Sequence, residues 1–141
     1  QFCDIVAGLE PASVVYEDDV VVAFMDTGPV NSGHLLVVPR QHYPYLADMD
    51  EATGACLFRA TMRLAEAIRR SGLRCEGVDL FLADGEEAFQ EIFHLHMHVF
   101  PRFAGDDFKL VADWTARPPR EELDAVAAKI RSALNAPSGA D

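Results

Sequence analysis

The chain has 141 residues, half of them apolar and 25% charged, with 12 Lys and Arg against 23 Asp and Glu for a net charge of −11 with histidines neutral. This length allows one domain with a sizeable core and excludes a disordered chain. The acidic balance argues against nucleic acid as a general partner, because phosphate backbones need a basic face. It leaves open a small anionic ligand held by local donors.

In chain order, Ser13 to Tyr16 and Val20 to Asp26 are rich in β-branched and aromatic residues and read as strands, with a hairpin turn at Glu17-Asp18-Asp19. Thr27-Gly28-Pro29 and Asn31-Ser32-Gly33 mark an ordered loop, and His34 to Pro39 reads as a buried strand. Leu57, Thr61, Leu64 and Ile68 recur on one face of a helix spanning Glu51 to Ser71. Asp48 with Glu51 resembles its capping box, and Gly72 closes it. Val78 to Leu82 is a short strand followed by the acidic turn Asp84-Gly85-Glu86-Glu87. Residues 92–103 form the longest strand candidate. A last helix, about 119–135, starts at Pro119 and carries the apolar stripe Leu123, Val126, Ala127, Ile130 and Leu134. Residues 136–141 are expected to fray. The class is α+β, with helices expected on one face of the sheet.

No apolar run nears the 18 or so residues of a membrane span, and no signal-peptide pattern opens the chain. The absence of an initiator Met suggests that it begins downstream of the true start. Cys3, Cys56 and Cys75 are odd in number and far apart, which argues against a disulfide framework and for a reducing cytoplasm.

The residues that carry chemistry are His94, His96 and His98, at i, i+2 and i+4. On a strand they project to one side, roughly 6–7 Å apart, while Leu95, Met97 and Val99 point to the core. A one-residue slip would bury three imidazoles, so the register is well specified. A featureless polar face explains such a row poorly. A metal site is a second reading, since imidazole is a common zinc and copper ligand. Phosphoryl or nucleotidyl transfer with an imidazole nucleophile is a third. It needs a neutral ring aimed at phosphorus and nearby donors, which the row, the glycine-bearing loop and His34 supply.

His94-Leu95-His96-Met97-His98-Val99-Phe100 resembles the histidine triad pattern. So do Phe2-Cys3-Asp4-Ile5-Val6-Ala7-Gly8, Val15-Tyr16-Glu17-Asp18-Asp19, Ala23-Phe24-Met25-Asp26 and the run from Pro29 to Pro39. The resemblance covers residues 2–108 and is weaker in the last helix. It implies one domain over residues 1–141, with a five-stranded antiparallel sheet, helices and a homodimer with a continuous ten-stranded sheet. It also implies a cytoplasmic nucleotide hydrolase of phosphoramidase type, acting on purine nucleotides at the α-phosphate and needing no catalytic metal.

By position, the resemblance makes His96 the nucleophile and His98 the contact to phosphate oxygens, with His94 and His34 holding the row. Asp26 corresponds to a ribose-binding acid, and Phe2, Ile5, Phe24 and Leu36 to the walls around the base. Gln90 would position the phosphate. Three positions depart from the pattern: Ala83 replaces Asn or Gln, Phe89 replaces Gly, and Glu91 replaces Ser or Thr. Glu91 would donate a proton to an amine leaving group and repel polyphosphate. Some bacterial relatives hold structural zinc, and Cys3, His42 and His94 fit three of its ligand places, the fourth falling one residue before Gln1. Cys56 and Trp114 read as core, and Arg102 as a surface residue or a phosphate contact. The competing functions are a dinucleoside polyphosphate hydrolase or phosphorylase and, in another class, a non-catalytic nucleotide- or metal-binding protein.

Overall fold

Alternation of side chains along the strands decides the layers. In the computed structural model, which describes residues 1–137, β1 (Val14–Glu17), β2 (Val21–Met25), β3 (Leu35–Pro39), β4 (Gly77–Leu82) and β5 (Met97–Arg102) form one sheet. Its order is β1-β2-β3-β5-β4, and every pair is antiparallel. Val21, Ala23, Leu35, Val37 and Val99 face α2 (Glu51–Arg70) and pack on Leu57, Ala60, Leu64 and Ile68. The intervening Val22, Phe24, Leu36 and Val38 face the opposite way and meet Phe2 of α1 (Phe2–Val6). Helices therefore cover both faces, not one. Five residues are too few to make a stable helix alone, so burial of Phe2 holds α1 in place.

Two local expectations are corrected. The N-cap of α2 is Asp50, whose carboxylate accepts from the Thr53 backbone N–H and hydroxyl. Asp48 instead accepts from the Tyr45 N–H in a short 3-10 turn, Leu46–Asp48. The strand expected over 92–103 starts only at Met97. Before it the chain leaves the ladder, and the Leu95 N–H donates to Tyr43 O at 2.8 Å.

The chain divides into two compact units, the first spanning Gln1–Phe108 and the second beginning at Lys109. The second contains α3 (Arg120–Asn135), preceded by Pro119, on which Leu123, Val126, Ile130 and Leu134 are exposed. Trp114 is 68% exposed, so it is not a core residue. Cys56 is half-buried, outside the fully buried core. Of the expected tail, 138–141 lie outside the described residues. No described helix is long and apolar enough to cross a membrane.

Candidate active site

On the α1 side of the sheet lies an open cavity of about 670 Å³. Phe2, Ile5, Phe24 and Leu36 line it together with Asp26, Glu91, His96 and His98. That size suits a nucleotide-sized ligand. His94, His34 and Gln90 are not among the lining residues, although all three are buried.

Hydrogen bonds fix the ring tautomers. His96 Nδ1 lies 2.8 Å from His94 O and must donate to that carbonyl, which leaves Nε2 as the bare nitrogen. Among the described residues Nε2 has no protein partner, while the ring lines the cavity at 8% exposure. The Phe2 ring meets the imidazole edge-on at 5.0 Å and steadies it.

His34 Nδ1 accepts the Val30 N–H at 3.0 Å. Its Nε2 therefore carries the proton and donates to His98 Nδ1 at 2.9 Å. The proton of His98 is left on Nε2, available to an anionic oxygen. Asp26 Oδ2 lies 3.4 Å from His34 Nε2 and 3.9 Å from His98 Nδ1, and Oδ1 accepts from the Gly28 N–H. Asp26 thus shapes its turn and faces the histidines at once. Although Asp26, His34 and His98 converge, they suit a cation poorly: His34 already uses Nδ1 as an acceptor and would need to lose its ring proton to bind through Nε2.

His94 points elsewhere. Its Nε2 donates to Pro39 O at 2.7 Å, and its bare Nδ1 lies 3.5 Å from Cys3 Sγ. His42 Nδ1 lies 3.4 Å from the same sulfur. Tetrahedral zinc with ordinary bond lengths separates a sulfur and a nitrogen ligand by about 3.6 Å. A ligand histidine that donates its second N–H to a carbonyl is the usual outer-sphere arrangement. Cys3, His42 and His94 therefore fit a zinc ion as three ligands.

Gln90 is spent on the loop: Oε1 accepts from the Gly85 N–H, and Nε2 donates to Pro44 O and Ile92 O. It orients the segment bearing Phe89 and Glu91 rather than meeting a ligand in the cavity. Arg102 is likewise committed, to Asp79 and Asp106 at 2.6 Å, so it is neither a free surface residue nor a phosphate contact. The sequence reading missed Glu10, Ser13, Met25, Thr27 and Ile92, which also line the cavity. The loop ending at Ser13 is brought alongside β2 by the bond from the Met25 N–H to Ser13 O, a pairing with no local sequence signature.

Burial foremost holds His34, His94 and His96 below the ordinary value of 6.5. His98 is lowered to about 4 by burial and then by His96 and His34. All four rings are neutral at pH 7. The unfolded chain takes up protons near pH 6.5, whereas native His98 resists until about pH 4. Unfolding free energy measured in urea should therefore be level above about pH 6.5 and decline as the pH falls toward 4. A His98→Gln variant should decline less steeply. Equal slopes in the two proteins would contradict this.

The HIT domain profile matches residues 8–105. The chain belongs to the HIT family. A HIT family protein from Bacillus subtilis has a crystal structure that superposes with a TM-score of 0.87 at 34% identity, covering 96% of this chain and 97% of that one. A Zn-bound histidine triad family protein from Mycobacterium smegmatis gives a TM-score of 0.73 at 39% identity, covering 94% and 95%. The adenylylsulfatase HINT3 of Arabidopsis thaliana is 32% identical over 133 residues, which are 94% of this chain and 66% of that protein. The five-stranded antiparallel sheet of this HIT protein is thus the one its relatives share.

Proposed function

We propose that the protein is a hydrolase of purine nucleoside phosphoramidates that cleaves at the α-phosphate and releases a nucleoside monophosphate. The observation that carries this reading is the bare Nε2 of His96 on the cavity, with Nδ1–H fixed on His94 O. A relative named an adenylylsulfatase supports reading the chain as an enzyme acting on adenylyl substrates.

His96 Nε2 attacks the α-phosphorus. The phosphorus–nitrogen bond to the leaving amine breaks, its electron pair stays on that nitrogen, and the carboxyl form of Glu91 supplies the proton. Water then attacks phosphorus and gives its proton to the Glu91 carboxylate, and the phosphorus–Nε2 bond breaks with its pair returning to the ring. His98 Nε2–H donates to the phosphate oxygens, and His34 holds that proton in position through Nδ1 of His98. Phe2, Ile5, Phe24 and Leu36 enclose the base, and Asp26 retains lone pairs for the ribose hydroxyls.

Among the described residues, no Lys or Arg lines the cavity, while the acidic Glu10 and Asp26 do. Such a lining disfavours a polyphosphate leaving group, which supports phosphoramidates over the dinucleoside polyphosphate alternative. A non-catalytic binding role would have no use for a free nucleophilic nitrogen. The expected result is a kcat/KM for adenosine 5′-phosphoramidate well above that for diadenosine polyphosphates. Glu91→Gln should lower the former by about 10² and narrow the gap. Comparable values for both substrates, unchanged in the variant, would overturn the reading.

Zinc on Cys3, His42 and His94 would tie α1 to the segment after β3 and to the start of the histidine row. It would act structurally, away from the reacting phosphorus. The enzyme is read as a cytoplasmic homodimer joined into a ten-stranded sheet. Support comes from the open β4 edge, where Leu80 and Phe81 are exposed.

A further inference from the structure

Phe89 is the one non-glycine residue with positive φ among the described residues, at φ +74° and ψ +22°. An L side chain enters this left-handed region at a cost that glycine avoids. Burial does not compensate, because the ring is 80% exposed. The surrounding turn leaves it no alternative: the Phe89 N–H donates to Glu86 O, the Gln90 N–H to Gly85 O, and the Gly85 N–H to Gln90 Oε1. Strain held in this manner, with no packing to repay it, is a recurring property of functional positions.

The ring also lines the cavity that holds His96 and His98, two residues before Glu91. The other lining aromatics, Phe2 and Phe24, are buried in the wall assigned to the base, which leaves Phe89 as the exposed aromatic of the lining. An exposed planar ring beside a proton-donating carboxyl is suited to an amine that itself bears a planar ring. We infer that Phe89 is a specificity-determining residue, a stacking platform that selects phosphoramidates whose leaving amine carries an aromatic group.

This assignment rests on the hydrolase reading above. Its test compares two adenosine 5′-phosphoramidates, one N-substituted with an indolylethyl group and one with a propyl group, in the wild-type protein and in Phe89→Gly and Phe89→Leu. Aromatic pairing of this kind corresponds to a roughly threefold to tenfold preference in kcat/KM. The wild-type protein should show that preference. Phe89→Gly should lower the indolylethyl value by about that factor more than the propyl value, and its Tm should rise because the strain is gone. Phe89→Leu should lose the preference without the gain in Tm. A ratio that stays unchanged in Phe89→Gly, with both substrates turned over, would overturn the platform alone. Failure of the wild-type protein to hydrolyse either substrate would overturn the hydrolase reading and the platform with it.

Discussion

His96→Ala is expected to lower kcat for adenosine 5′-phosphoramidate by about 10⁴ or more, the scale seen when a covalent nucleophile is removed. That corresponds to about 5 kcal/mol of transition-state stabilisation. Binding of AMP should survive within about fivefold. The proposed base wall of Phe2, Ile5, Phe24 and Leu36, all lining the cavity, and the donor on His98 remain in place without this ring. His98 would not replace it in the proposed nucleophile role, because His34 occupies its Nδ1 and its Nε2 carries the proton. Steady-state kinetics and AMP titration by calorimetry check both halves. Parallel loss of binding and turnover would make His96 a structural residue.

Gly33→Ala should destabilise the fold by about 2–4 kcal/mol, combining left-handed strain with overpacking. Gly33 has φ +106°, and a Cβ there would meet Leu73 Cδ1 at 3.0 Å and Pro101 Cγ at 3.2 Å. Pro101 is fully buried in β5 and cannot yield cheaply. The lesion would reach the site, because the next residue is His34, whose N–H donates to Asn31 O and whose ring orders His98. A Tm lower by roughly 10 °C is expected for a protein of this size, with weakened turnover in the folded fraction. A Tm within 2 °C of the wild-type value, a margin of about 0.5 kcal/mol, would contradict the crowding.

Much of this was legible because single residues had few alternatives. Val21 to Phe24 and Leu35 to Val38 are buried on both sides, so continuous apolar runs marked them as strands. The face Leu57, Thr61, Leu64 and Ile68 was legible as a helix because all four are buried against the sheet. The histidine row was harder. Period-two spacing is shared by a strand and by irregular extended chain, and only the bonds from Leu95 N–H to Tyr43 O and from His94 Nε2 to Pro39 O show that the row begins outside the ladder. His94 therefore turns toward Cys3, away from the cavity. Asp48 and Asp50 are chemically alike, and tertiary placement, including the Tyr43 hydroxyl on Asp50, chose the cap. Gln90 resembles a ligand-binding amide, yet its atoms are consumed by Gly85, Pro44 and Ile92, partners that its sequence neighbourhood does not reveal in full.

The proposed covalent step can be tested directly. Rapid quench of the wild-type protein with adenosine 5′-phosphoramidate, followed by intact-mass and peptide analysis, should trap an adenylyl group on the peptide containing His96. The adduct should form and decay at rates compatible with turnover and be absent from His96→Ala. Turnover with no adduct at any time, or an adduct on another residue, would contradict the account.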